Sequence, residues 1–173
     1  MAYKEIEGNL IELAKQGMFQ VITHGCNCFC RMKRGIAPQM AQAFGCDKFK
    51  LESKIFEGDY NKLGQIDFET LIVSPEGRVR PTIMLADKYT DNSIPLIVVN
   101  SYTQYQWGTH LKPFDYVAFR LCMKKINHTF KGYKVGLPQI GSHLAGGNWV
   151  RIKMIIQQEL TDCDVTVVIF KAE

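Results

Sequence analysis

Along the chain the apolar positions switch repeatedly between the twofold period of a strand and the 3.6-residue period of a helix. Tyr3 to Glu7 alternates and stops at Gly8-Asn9, which predicts a short strand. Leu10, Leu13 and Ala14 share one helical face, and Gly17 ends that helix. Phe19 to His24, with Phe19, Val21 and Ile22, predicts a buried strand. Gly35 to Phe44 predicts a helix whose small residues Ala37, Ala41 and Ala43 allow close packing, with Pro38 tolerated in its first turn. Asp47 to Phe56 predicts another helix. Gln65 to Val73 and Arg80 to Ala86 predict two strands around the turn Ser74-Pro-Glu-Gly77. The run Leu96-Ile-Val-Val99 lies in a strand from Ile94 to Tyr102, buried on both faces. Pro113 to Asn127 carries Phe114, Val117, Ala118, Leu121, Cys122 and Ile126 at helical spacing. Lys134 to Ile140 then predicts a strand, Trp149 to Leu160 a helix and Val165 to Phe170 a last strand.

Strands alternating with helices predict a three-layer α/β/α domain. The hairpin-like segment from Gln65 to Ala86 predicts a mixed central sheet rather than a purely parallel one. No repeat or linker interrupts the pattern, so residues 1–173 are read as one domain.

Composition adds limits. Hydrophobic residues make up 46% and charged residues 22% of the 173, an ordinary globular balance. No apolar run approaches the ~20 residues of a membrane span. The first ten residues carry Lys4, Glu5 and Glu7 and lack the apolar core of a signal peptide. The expectation is a cytoplasmic monomer whose six cysteines are free thiols, mostly small buried hydrophobes. The net charge of +4 suits an anionic ligand without suggesting a histone-like polymer binder.

Two glycine-containing loops share a setting. His24 to Gly35 follows a buried strand and precedes a helix, and so does Gly141-Ser-His-Leu-Ala-Gly-Gly147. Such turns offer backbone N–H groups and a helix's positive end to a phosphate. In open α/β sheets ligands sit beyond the carboxyl ends of the strands. Two such loops in one short domain point to a diphosphate or a similarly extended anion.

Several segments carry a resemblance: Gly8-Asn-Leu10, "HGCNC" with "GIAPQMA", "NSYTQ", and "LPQIGSHLAGGNW". Together they resemble the macrodomains, within them the branch of ADP-ribose-1''-phosphate phosphatases. The resemblance covers nearly the whole chain. It implies a macrodomain fold, ADP-ribose or ADP-ribose-1''-phosphate as ligand, and no metal or other cofactor. It implies that Gly8, Asn9 and Leu10 form the adenine end, with Asn9 meeting the adenine amino group. Asn27 is implied at the distal ribose, and Gly35, Ile36 and Ala37 in the turn against ribose and diphosphate. Gly141, Ser142, His143, Leu144 and Ala145 are implied as the diphosphate cradle, Ile140 as a wall, and Phe170 as a surface for adenine. The family prefers glycine where Lys33 and Arg34 stand. Those side chains must point outward or serve a distal phosphate. A related ADP-ribosyl-glutamate hydrolase branch uses a Lys and an Asp where this chain has the Asn100–Gln104 segment and Ala145, which argues against that chemistry.

Each of these residues also has a plainer reading. Asn27 suits an ordinary turn. Tyr102 and Thr103, at a strand end, read as pocket walls or as ordinary surface. A lone histidine is usually structural, but His24 and His143 lie on the two candidate loops, and an imidazole suits proton transfer or water orientation. His24 is the first choice because it neighbours Asn27. Cys26, Cys28 and Cys30 lack the paired spacing of a zinc site. Cys28 to Arg34 has the Cys-x5-Arg spacing of a thiol phosphatase without the converging glycines. Arg31-Met-Lys-Arg34 with Tyr102, Tyr105 and Trp107 leaves an RNA-binding module as the rival from another class. ADP-ribosyl hydrolysis and a reader without turnover are the rivals within the family.

Overall fold

The computed structural model describes residues 2–53, 55, 57–82, 92–108 and 110–171. In chain order the elements are β1 (Tyr3–Glu7), α1 (Leu10–Lys15), β2 (Val21–Asn27), α2 (Ala37–Phe44), β3 (Ile66–Val73), β4 (Val79–Pro81), β5 (Ile94–Gln104), α3 (Tyr116–Thr129), β6 (Lys134–Pro138), α4 (Trp149–Glu159) and β7 (Asp164–Ile169). The strands form one seven-stranded sheet in the order β1-β7-β6-β2-β5-β3-β4. The first five in that order pair in parallel, while β3 pairs antiparallel with both β5 and β4. The expected mixed sheet is therefore present, with the hairpin at one edge. The predicted strand at Arg80 to Ala86 is described only over its first residues, inside β4; positions 83–86 lie outside the described residues.

Alternation along the strands builds two cores. Val21, Val99, Val135, Leu137, Val165 and Val167 face α3 and α4, which contribute Phe119, Met123, Ile126, Ile152 and Ile156. Ile22, Leu96, Val98 and Val168 face α1 and α2, which contribute Leu10, Ala14, Met40 and Phe44. That is the three-layer arrangement. Trp149 packs half-buried on the first core, as expected of an anchor for α4.

Two helix expectations change. Asp47 to Phe56 does not form a helix; its described part runs as 3-10 turns at Cys46–Lys48 and Lys50–Glu52. Glu52 and Lys62 are buried there at 3% and 2% exposure, so polar burial replaces an amphipathic face. In α3 the buried face is Ala118, Phe119, Cys122, Met123 and Ile126, whereas Val117 and Leu121 face solvent. Asp115 caps this helix through a bond from the Ala118 N–H, which starts its register later than the apolar count suggested.

All six cysteines are free, and five are buried. Among the described residues no helix is long and apolar enough to cross a membrane.

Candidate functional site

The carboxyl ends of β1, β2, β5, β6 and β7 open into one cavity of about 940 Å³. Its lining includes Gly8 to Leu10, Gly25 to Asn27, Gly35 to Ala37, Thr103 and Gln104, Pro138 to Gly141, His143 to Ala145, Val168 and Phe170. Parallel strands place their following loops at the same end of the sheet, so segments more than 100 residues apart in the chain meet there.

The second loop is shaped by its glycines. Gly141 has φ +74°, in the left-handed region, and its Cα faces the Phe114 ring. The Gly147 N–H donates to the Gly141 carbonyl at 2.8 Å, and the Gly146 N–H to the His143 carbonyl at 3.2 Å. Those bonds fold the loop back on itself. The N–H groups of Gly141, His143, Leu144 and Ala145 donate to no described residue. They are the free donors that an anion needs.

The first loop is held by Asn27. Its Oδ1 accepts from the Phe29 N–H at 3.1 Å and the Arg31 N–H at 3.3 Å, and its Nδ2 donates to the Arg31 carbonyl at 2.9 Å. The side chain is thus the internal brace of residues 27–31, with one amide hydrogen left over. Asn27→Ala is expected to lower stability by about 1–3 kcal/mol and to weaken binding of any ligand seated on this loop. Urea unfolding beside calorimetric titration checks it; a variant as stable as the wild type would remove the bracing role.

Asn9 is engaged in a similar way. Its Oδ1 caps α1 by accepting from the Ile11 and Glu12 N–H groups at 3.0 and 3.3 Å. The oxygen expected at the adenine amino group is therefore occupied, and Nδ2 is the group of Asn9 left for a ligand.

Charge is distributed unevenly. Arg31, Lys33 and Arg34 line the cavity, while no lining residue among those described is Asp or Glu. Arg31 pairs with Glu57 at 2.9 Å and lies over the Trp107 ring, 5.3 Å from its centroid. Lys33 and Arg34 are exposed, and neither has an ion pair among the described residues. Both are among the residues that line the cavity.

Three expected site residues lie elsewhere. His24 is wholly buried and does not line the cavity. It shares a strand face with Ile22, so its ring enters the α2 side of the sheet. There Nε2 meets Asn100 Oδ1 at 2.7 Å, with the Cys26 and Cys46 sulfurs at 3.7 and 3.6 Å. Burial lowers its pKa to about 4, against the raising effect of the Asn100 bond. A neutral ring sealed in the core cannot touch a ligand, so the preference for His24 over His143 is reversed. Tyr102 is also fully buried and off the cavity; its hydroxyl donates to Asp67 Oδ2 at 3.4 Å. Thr103, one residue on and on the opposite strand face, does line the cavity. Ser142 lies just behind the lining, with its hydroxyl on His143 Nδ1 at 2.8 Å and on the Gln139 carbonyl at 2.9 Å.

Other cavity residues were not anticipated: Gly25, Gln39, Gln104, His110, Gln139 and Val168. Their shared signal is position at or just past a strand end, with Gln39 and His110 the exceptions. Gly25 sits in a tight fit, because a Cβ there would lie 3.0 Å from both Ile140 Cγ2 and Thr103 Oγ1. Of the three aromatics considered for RNA, only Trp107 reaches the cavity. Tyr105 is stacked on Tyr60, with centroids 3.6 Å apart.

The sheet order, the layers and the strand-end cavity with its two loops together define the macrodomain fold. The chain is similar to the macrodomain of DarG from Thermus aquaticus, at TM-score 0.59 and 17% identity, over 99% of both chains. It is similar too to DarTG from Thermosipho africanus, a structure in complex with ADP-ribose, at TM-score 0.65 and 16% identity, over 98% of this chain and 42% of that one. In sequence it is 28% identical over 176 aligned positions to an uncharacterized 17.5 kDa protein of the tk-vs intergenic region of Enterobacteria phage T4, over 97% of this chain and 96% of the relative. No protein-family model matches the chain.

Proposed function

We propose that the cavity binds ADP-ribose and that the protein hydrolyses ADP-ribose-1''-phosphate to ADP-ribose and inorganic phosphate. The observation that carries this reading is the pairing of free backbone donors with cations. Gly141, His143, Leu144 and Ala145 offer N–H groups, and Lys33 and Arg34 add positive charge where no carboxylate of the described residues lines the wall. Such a wall suits the negatively charged diphosphate of ADP-ribose, and a terminal phosphate adds further charge for Lys33 and Arg34 to meet. The macrodomain fold and the ADP-ribose bound by the Thermosipho neighbour support the ligand class.

In the proposed reaction the loop N–H groups hold the diphosphate, and Lys33 and Arg34 hold the terminal phosphoryl group and offset its developing charge. Water attacks phosphorus. The new O–P bond forms as the bond to the sugar oxygen breaks, and that oxygen leaves with the electron pair and gains a proton. Of the two loop histidines, His143 takes the place expected of His24, because it lines the cavity and His24 does not.

Phosphate release from ADP-ribose-1''-phosphate tests the activity, and calorimetry with ADP-ribose tests the site. Lys33→Ala combined with Arg34→Ala is expected to cut turnover about 10²-fold, the scale of one lost charge-stabilising donor, with a smaller loss of ADP-ribose affinity. Binding without phosphate release would make the protein a reader. No binding at millimolar ADP-ribose would remove the whole reading.

Trp107, 49% exposed beside Arg31, favours a second reading in which nucleic acid meets the same mouth. Loss of RNA binding on saturation with ADP-ribose supports it, and RNA binding that survives would put the two ligands on different surfaces and remove it.

A further inference from the structure

The Ser142 hydroxyl has a single hydrogen and two polar neighbours. One is the backbone carbonyl of Gln139, 2.9 Å away, which can only accept. The other is His143 Nδ1, 2.8 Å away. With the hydroxyl hydrogen committed to the carbonyl, the contact with the imidazole forms only if Nδ1 carries a hydrogen and donates it to the serine oxygen. A neutral His143 is then the Nδ1–H tautomer, and Nε2 keeps its lone pair. No described residue hydrogen-bonds to Nε2. His143 is exposed and lines the cavity, on the same loop as the free N–H groups.

The geometry points to Ser142 as a positioning residue that fixes His143 in the tautomer able to accept a proton at Nε2, which makes His143 the general base of the site. The tautomer follows from the serine hydrogen lying on the Gln139 carbonyl, the shorter of that oxygen's two contacts with Ser142; the role as base rests on the phosphatase reading above. The chain of bonds is short. The Gln139 carbonyl belongs to the turn that closes Ile140 onto the Pro138 carbonyl at 2.7 Å, so the serine is anchored to the end of β6. The serine orients the ring, and the ring addresses the ligand. In the step itself a water proton passes to Nε2 as the water oxygen bonds to phosphorus. The P–O bond to the sugar breaks with its electrons going to that oxygen, which takes up a proton from solvent water, and Nε2 returns its proton to solvent. An Nε2–H tautomer would present a donor to the same water and could not take its proton. His24 is held in the opposite way: Asn100 is met by its Nε2, and its Nδ1 has no partner.

The test is long-range proton–nitrogen correlation NMR on the 15N-labelled full chain, at a pH where the imidazoles are neutral. The expected pattern for His143 is a protonated Nδ1 and an unprotonated Nε2. Ser142→Ala is expected to shift it toward Nε2–H, and Ser142→Thr, which keeps the hydroxyl, to restore it. A wild-type His143 in the Nε2–H form would overturn the assignment, as would a Ser142→Ala spectrum identical to wild type. In the phosphate-release assay Ser142→Ala is expected to lower kcat about three- to tenfold with KM little changed, a fraction of the 10²–10⁴ a general base contributes. Ser142→Ala with full kcat would overturn the positioning role. If the wild type releases no phosphate the phosphatase reading and the base role fall together, while the spectrum still decides the tautomer.

Discussion

Gly141→Ala should destabilise the protein by roughly 2–5 kcal/mol and abolish measurable binding of an anionic ligand. Two costs combine. At φ +74° a side chain sits in the left-handed region, which costs about 1–2 kcal/mol. The added Cβ would also lie 2.2 Å from both Cδ2 and Cε2 of Phe114. That ring cannot move aside cheaply. It is buried, edge-on to Tyr116 at 5.1 Å and tilted against Phe119 at 5.4 Å. Its backbone N–H donates to the Ala145 carbonyl, inside the loop that would have to shift. Overpacking of this kind costs about 1–3 kcal/mol. Gly45→Ala is the matched control. Gly45 has a similar φ of +65°, but a methyl group there would meet nothing within 4 Å, so only the backbone cost applies. Urea unfolding of both variants reads the difference. Equal stabilities for the two would refute the packing argument.

Glu52→Gln should gain stability relative to wild type as pH rises from about 5 to 8, by roughly 3 kcal/mol. Glu52 is 3% exposed, its Oε1 has no hydrogen-bond partner, and burial raises its pKa to about 7. Bonds from Tyr102 and Cys30 and the Lys62 charge oppose that rise without cancelling it. An acid whose folded pKa is raised binds its proton more tightly when folded. Its contribution is complete below the unfolded value of 4.5 and is lost as pH climbs to about 7. His24 acts in the other direction. Its folded pKa of about 4 lies below the ordinary 6.5, so its contribution is complete above 6.5 and is lost as pH falls toward 4. Between about 4.5 and 6.5 the two slopes oppose each other, and the wild type should be nearly flat with respect to this pair. Removing the Glu52 proton should expose the His24 slope, so that the variant loses stability on acidification more steeply than wild type. Denaturant unfolding at a series of pH values measures both curves. A wild-type-to-variant difference that does not change with pH would sink the prediction.

The strand alternation that placed Phe19 to His24 in the core also contained the answer for His24. Ile22 and His24 are two apart, so they share a face, and a residue behind Ile22 cannot also face a loop ligand. The same rule separates Tyr102 from Thr103. Counting reaches its limit between Cys26 and Asn27, where the register of β2 against β5 shifts and Thr103 is passed over in the pairing. Val117 and Leu121 show the corresponding limit for helices. Their spacing matched the apolar stripe, but the cap at Asp115 and the packing of Phe119 and Met123 turned another face inward. The 3-10 turns from Cys46 to Glu52 were read as helix because nothing in a single sequence marks Glu52 and Lys62 as buried. Charged residues are ordinarily solvated, and only a pre-formed polar pocket reverses that.

Local order was legible in the sequence by itself: the alternation of strands and helices, the mixed sheet implied by the hairpin, and two glycine loops suited to an anion. Each depends on neighbours within a few residues, where periodicity and backbone sterics act. The tertiary structure alone decided which strands adjoin, and so which loops share a cavity. It also decided that Lys33 and Arg34 line that cavity, and that of the two loop histidines His143 lines it and His24 does not. Those outcomes depend on contacts between segments distant in the chain, and burial and hydrogen bonding at such contacts have no counterpart in local pattern.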